Sequence, residues 1–259
     1  MVAKGKMVLA VRQSYGLLQS DNFRPVSGGD MKRKLSIFFI LIPAIFILIG
    51  STAVTSFAIG NNETALQDKT QIAEAEQLLS ELGYMVNDTD GRLDFMSLHA
   101  VMAFQKVERL KRTGVLTSSL LERLREATAP SPKYQGPAHI EVDITRQVLF
   151  MVDENGKVNL IVPVSTGSGE RYFDRSTKKW EVASTPRGEY SIQRKINGTR
   201  TAPLGQIFYP SYFRGGWAVH GSNSIPPRPA SHGCVRVPRG ADQRLFKLMP
   251  VGMKIYLYD

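Results

Sequence analysis

A mainly β domain of the sandwich type, preceded by a small all-α domain of three helices and an N-terminal transmembrane or signal segment, is the architecture this sequence predicts. Apolar residues recur at helical spacing between residues 67 and 128 and alternate with a period of two beyond residue 138. A Pro-rich stretch separates the two regimes, and an uncharged apolar run precedes both.

Residues 1–31 are expected to be a cytoplasmic tail or an upstream extension, because Met31-Lys32-Arg33-Lys34 reads as a natural start for an export segment. No residue from Leu35 to Gly60 is charged. That run meets the roughly 20 residues a membrane-spanning helix needs. Lys32-Arg33-Lys34 would hold its leading end in the cytoplasm. Ser56-Phe57-Ala58 also offers a small-residue cleavage site, so residues 32–60 read as a signal anchor or a signal peptide. The length of the apolar run favours an anchor, with the membrane as a partner through residues 35–59. Either way the remainder is exported to the cell envelope.

Within 67–128, Ile72, Ala75, Leu78, Leu79 and Leu82 form one helical stripe, closed by Gly83. Asn87 to Gly91 is a turn, Leu98, Val101, Met102 and Phe104 mark a second helix, and Thr117-Ser118 opens a third with Leu120, Leu121 and Leu124 inward. Residues 129–137, from Ala129 to Pro137, read as a semi-rigid linker. In 138–259, strands are expected at Ile140–Ile144, Val148–Val152, Leu160–Ser165, Tyr190–Arg194, Gln206–Tyr209, Trp217–His220 and Lys254–Tyr258. A helix is expected near Arg239–Met249, with Pro238 at its start. Ser168–Ser184, rich in charge, is expected to be a loop.

The net charge of +10 is uneven. From Ala129 onward 18 Lys and Arg stand against 10 Asp and Glu (net +8), whereas Gly60 to Thr128 carries 8 against 11 (net −3). A basic exported domain suits an anionic wall polymer. No nucleic-acid module signature is visible, and export argues against that partner.

Cys234 is the only cysteine in the chain. An exported protein normally uses cysteines in pairs, so a lone one is either an inert thiol or a reactive one. Gly233 removes bulk beside it, while His232 and Arg236 supply positive charge that favours a thiolate. His220 ends the apolar run Trp217-Ala218-Val219, which places an imidazole at a strand end ahead of the Cys234 loop. Cysteine with a histidine base is the minimum equipment for thiol nucleophilic catalysis. No carboxylate lies nearby in sequence to orient His220, so a backbone carbonyl from Gly221-Ser222 is expected to do so. The N–H groups of Gly233 and Cys234 are the expected oxyanion donors, with Ser231 in support. The spacing of His220, His232 and Cys234 matches no common zinc pattern, so neither metal nor cofactor is expected. A papain-like order is excluded, since there the cysteine precedes the histidine.

His220-Gly221, a Pro-rich loop and Ser231-His232-Gly233-Cys234-Val235-Arg236 together resemble the signature of the L,D-transpeptidase catalytic domain, the YkuD-like family of peptidoglycan remodelling. The resemblance spans about residues 137–259 and includes Pro163-Val164-Ser165-Thr166-Gly167, Thr185-Pro186-Arg187-Gly188 and Gly215-Gly216-Trp217. It implies that His220 is the base and Cys234 the nucleophile. It also implies attack on a peptidoglycan tetrapeptide stem, a thioester, and a 3→3 cross-link once a neighbouring amine attacks. Water as acceptor would make the enzyme an L,D-carboxypeptidase; attachment of a protein to the wall and a non-catalytic wall-binding role are the other readings. His232 and Arg236 would hold a substrate carboxylate, with Tyr209, Tyr212 and Trp217 along the acyl-donor groove. Leu82-Gly83-Tyr84, Asp90-Gly91 and Ala100 to Gln105 resemble a three-helix peptidoglycan-binding domain, departing from its pattern at Leu93-Asp94 and Ser97.

Overall fold

A computed structural model describes residues 64–259. The expected tail at 1–31 and the apolar segment at 32–60 lie outside the described residues. Among the described residues no helix is long and apolar enough to cross a membrane.

Three helices come first, α1 (Lys69–Glu81), α2 (Phe95–Val107) and α3 (Ser118–Glu126). Each opens on a side-chain cap: Asp68 accepts from the Gln71 N–H, Asp94 from Ser97 and Thr117 from Leu120. Such caps satisfy N–H groups that the helix itself cannot. Strands β1 (His139–Asp143), β2 (Val148–Val152), β3 (Val158–Pro163), β4 (Arg171–Asp174), β5 (Lys179–Val182) and β6 (Gly188–Ser191) follow. Then come β7 (Arg194–Lys195), β8 (Thr199–Ala202), β9 (Gly205–Arg214), β10 (Trp217–Ser222), β11 (Val235–Pro238), α4 (Arg239–Leu248) and β12 (Lys254–Tyr258).

One sheet runs β3-β2-β1-β12-β6 and a second runs β11-β10-β9-β7, with β8 also paired to β9. The pairs β1–β12 and β10–β11 are parallel. The second of these matters for the site. Parallel neighbours need a crossover of about a dozen residues, and the 223–234 segment supplies it, ending at Cys234 beside the strand that carries His220.

The β1 and β2 strands of the first sheet are buried on both faces, which explains why Val148–Val152 is a continuous apolar run rather than an alternating one. Leu149 and Met151 face a core shared with Phe213, Val219, Val235 and Leu245. Val148, Phe150 and Ile161 face the helices and join Leu79, Val101, Phe104 and Leu121. The backbone seals the contact, with the Met85 N–H donating to Ile161 O at 3.0 Å and the Ile161 N–H to Gly83 O at 2.8 Å.

The 129–137 stretch is held more firmly than its composition implies. The N–H groups of Lys133 and Tyr134 donate to the buried Glu141 carboxylate at 2.9 and 2.7 Å, and Tyr134 stacks on Tyr256 with centroids 4.3 Å apart. The charged 168–184 stretch is also more ordered than a loop, since β4 and β5 make a separate hairpin. Its strands escape a pattern search because they are exposed on both faces. β9 continues through Pro210, with Tyr209 at φ 48°, a left-handed backbone that costs a non-glycine residue energy.

Because helices and sheet share Ile161, the whole described body should unfold together. Ile161→Ala is expected to remove about 2–5 kcal/mol from unfolding. Far-UV circular dichroism and tryptophan fluorescence should then shift to lower denaturant in one coincident transition.

Candidate active site

The catalytic loop is built around the Gly233 peptide. Gly233 has φ +137°, and a Cβ there would lie 2.6 Å from the Trp217 indole nitrogen and 2.8 Å from the Ser184 carbonyl oxygen. Only glycine satisfies both the dihedral and the space. Its N–H donates to Ser231 Oγ at 2.9 Å, and its carbonyl accepts from Thr185 Oγ1 at 2.6 Å. Ser231 Oγ in turn donates to the Cys234 carbonyl at 2.6 Å. Trp217 donates its indole N–H to Ser184 O at 3.1 Å, closing the side of the loop.

His220 is buried at the end of β10, and its Nδ1 lies 2.8 Å from Gly221 O. A carbonyl only accepts, so Nδ1 carries the proton and Nε2 is left as the basic nitrogen. Burial lowers His220 from its usual value to about 4, against the Gly221 hydrogen bond and with a further push down from Arg236. Gly221 is also a steric requirement, since an added Cβ would collide with the buried Asp242 carboxylate of α4. Arg239 forms an ion pair with that carboxylate.

Cys234 is half-buried, and its Sγ donates to Gly216 O at 3.7 Å. Burial raises the thiol above its usual value, while a hydrogen bond from the Ala218 backbone and the charge of Arg236 act the other way. Positive neighbours alone predict a thiolate; desolvation outweighs them here. Burial thus favours the uncharged form of each group, thiol and imidazole. No sulfur–imidazole hydrogen bond is present among the described residues.

Both groups open into one cavity of about 570 Å³. Ser231, His232, Arg236 and Trp217 line it too, together with Tyr172 and Glu181 of the β4–β5 hairpin and Arg200 and Leu204 of the β8–β9 hairpin. His232 is exposed and meets Tyr172 edge-on at 4.6 Å. Arg236 makes no ion pair among the described residues.

Two expectations need correction. Tyr209 does not line the cavity: its ring packs on Phe246 at 5.6 Å and its hydroxyl accepts from Gln243 at 2.9 Å, so β9 turns it toward α4. The Gly233 N–H is not free to donate to a substrate, because Ser231 Oγ occupies it. Thr185 was quoted only as part of a motif, yet it holds the loop. Its Oγ1 also accepts the Gly167 N–H at 2.8 Å. A Thr-Pro step after a charged segment was its sole signal. Asp242 had none, being twenty-one positions beyond Gly221.

A thiol and an imidazole with a fixed tautomer, opening into one cavity, are the parts that thiol acyl transfer would need. The sequence matches the YkuD family, L,D-transpeptidase catalytic domain, over residues 137–257, and the family described as "Putative peptidoglycan binding domain" over residues 68–124. The solved L,D-transpeptidase of Xylanimonas cellulosilytica is 36% identical, with a TM-score of 0.70, and the match covers 76% of this chain and 96% of that one. That of Stackebrandtia nassauensis is 20% identical with a TM-score of 0.45, covering 76% and 97%. No curated protein matches the sequence. The chain belongs to the L,D-transpeptidase family. Its two peptidoglycan-related domains make it a protein of the cell envelope that acts on peptidoglycan.

Two outcomes follow from this geometry. With His220 titrating near 4, the base stays deprotonated well into mildly acidic solution. At pH 5.5 an ordinary histidine would be about nine-tenths protonated. Acylation of Cys234 by a β-lactam should therefore keep most of its neutral-pH rate at pH 5.5, with an acidic limb nearer 4, as read by mass spectrometry across pH. Thr185→Val, which strips partners from Gly167 and Gly233, should lower unfolding stability by about 1–3 kcal/mol in a denaturant titration.

Proposed function

We propose that this protein is a cell-wall L,D-transpeptidase that forms 3→3 peptidoglycan cross-links through a thioester on Cys234. The observation that carries the reading is the fixed Nδ1–H tautomer of His220, which frees Nε2 toward the cavity that also holds the sulfur.

In the first step the Cys234 hydrogen turns from Gly216 O to His220 Nε2. Sγ attacks the carbonyl of the third residue of a tetrapeptide stem. The C–N bond to the terminal D-alanine breaks as His220 returns the proton to the departing amine. In the second step an amine from a neighbouring stem attacks the thioester, the C–S bond breaks, and His220 passes the amine proton to sulfur. The cavity bordered by the two hairpins would receive the stem. Arg236, which makes no ion pair among the described residues, serves the substrate carboxylate or the developing oxyanion. The Cys234 N–H is the remaining backbone donor for that oxyanion. Ser231, Gly233 and Thr185 hold the loop, and Trp217 and His232 border the groove.

The helical domain at 67–128 is assigned to peptidoglycan contact, and residues 32–60 to anchoring the enzyme outside the cytoplasmic membrane. No cofactor takes part in this scheme.

The test incubates the full-length protein with purified disaccharide-tetrapeptide, beside Cys234→Ala, and weighs the products. Cross-linked dimers that disappear in Cys234→Ala support the proposal. His220→Ala should slow their formation by about 100- to 10,000-fold. Tripeptide monomers alone would identify a carboxypeptidase instead, and unchanged substrate would favour protein attachment or wall binding without catalysis.

A further inference from the structure

The crossover that delivers Cys234 is poor in its own anchors. Pro226, Pro227 and Pro229 lack N–H groups, so this stretch cannot join a strand ladder, and its carbonyls depend largely on side-chain donors. Ser165 Oγ supplies one, to Arg228 O at 2.9 Å. A second comes from outside the β domain. Arg112, in the segment between α2 and α3, donates Nη1 to Pro227 O at 3.0 Å and Nη2 to Thr145 O at 3.1 Å. One planar guanidinium thus ties the crossover to the β1–β2 turn.

The same turn is gripped from beneath. Lys106, near the end of α2, is fully buried, and its Nζ donates to Gln147 O at 3.1 Å and Val164 O at 2.9 Å. Gln147 sits at φ 63°, a left-handed backbone that a non-glycine residue keeps only when its surroundings hold it. Its side chain accepts the Thr166 N–H at 2.9 Å and donates to Thr166 Oγ1 at 2.6 Å. Thr166 O then accepts the N–H groups of Ala230 and Ser231, each at 2.9 Å. Lys106 therefore reaches Ser231 through Gln147 and Thr166, and Ser231 holds the Cys234 carbonyl. Burial lowers Lys106 to about 7, with Arg112 adding to the shift. A buried lysine head group with no carboxylate partner is costly, and here its hydrogen bonds go to two backbone carbonyls.

We infer that the helical domain is a positioning element of the active site, in which Lys106 and Arg112 fix the backbone of the crossover that presents Cys234. The inference extends the transpeptidase reading and rests on it for the chemistry that the crossover then performs. It gives the helical domain a role in acyl transfer separate from any contact with the wall.

The experiment uses the full-length protein, a carbapenem-type β-lactam as acylating probe over a range of concentrations, and mass detection of the Cys234 adduct. The small probe needs no wall-binding surface. Arg112→Ala should lower the limiting acylation rate by on the order of tenfold or more, since small displacements of reacting groups are expensive. Its half-saturation concentration and melting midpoint should stay near those of the unaltered protein. Amide hydrogen exchange at Ser224, Arg228, Ala230 and Ser231 should rise. Arg112→Lys should recover part of the rate, because an ammonium reaches one carbonyl where the guanidinium reaches two. Lys106→Met should act in the same direction; if it fails to fold, the Arg112 pair decides. A folded Arg112→Ala with unchanged limiting rate and unchanged exchange across 222–231 would overturn the inference. If the unaltered protein forms no Cys234 adduct, the transpeptidase reading fails by itself, and hydrogen exchange alone then decides whether Arg112 orders the crossover.

Discussion

The Gly233 peptide is the constraint on which this active site depends. Its N–H and carbonyl are each held by a hydroxyl, Ser231 on one side and Thr185 on the other, and the Trp217–Ser184 contact leaves no room for a side chain. With both faces of the peptide committed, the next residue has little freedom, and the next residue is Cys234. The arrangement also explains why the Gly233 N–H is not an oxyanion donor. A backbone group already bonded to Ser231 cannot also bind the substrate, so the proposed mechanism gives that task to the Cys234 N–H and Arg236.

This local precision needs a rigid frame, and the frame is the first sheet, with both faces of β1 and β2 covered. Strand β2 sends Leu149 and Met151 into the sandwich core and Val148 and Phe150 into the helices, so neither layer completes its core alone. The turn between β1 and β2 and the end of β3 lie at the seam, and there Lys106 and Arg112 meet backbone carbonyls. The boundary between the helices and the sandwich is thus a continuation of packing. The Pro-rich 129–137 stretch that follows the helices is pinned along it by Glu141 and Tyr256 rather than swinging between independent bodies.

What could be read in the sequence was whatever local spacing encodes. The three helices announce themselves through apolar stripes and, for the third, through Thr117 at its start. Cys234 and His220 stand out as residue types in a motif, and the need for a carbonyl to orient His220 follows from the lack of a nearby carboxylate. Gly221 provides that carbonyl. The exposed strands β4, β5 and β8 carry no alternating pattern, because neither face is buried. Long-range pairings such as Lys106 with Val164 and Asp242 beside Gly221 leave no local trace at all. Tyr209 misled for a related reason: an aromatic near a motif says nothing about direction, and the left-handed backbone there turns the ring to α4.

Positive neighbours suggest a standing thiolate–imidazolium pair, yet burial acts on both partners toward neutrality, raising the thiol and lowering the imidazole. Burial penalises each ion separately, and an ion pair in such a site is favoured only when its partners also find hydrogen bonds. The resting sulfur instead donates to Gly216 O, and the resting His220 has Nδ1 satisfied and Nε2 open. In the proposed mechanism charge appears only as the sulfur attacks, when the negative end moves to the substrate oxygen and the positive end stays on the imidazole. Arg236 lines the same cavity and makes no ion pair among the described residues, which leaves its guanidinium available to that oxygen. A thiol is also less open to oxidation than a thiolate, so the same burial that opposes charge at rest opposes that side reaction.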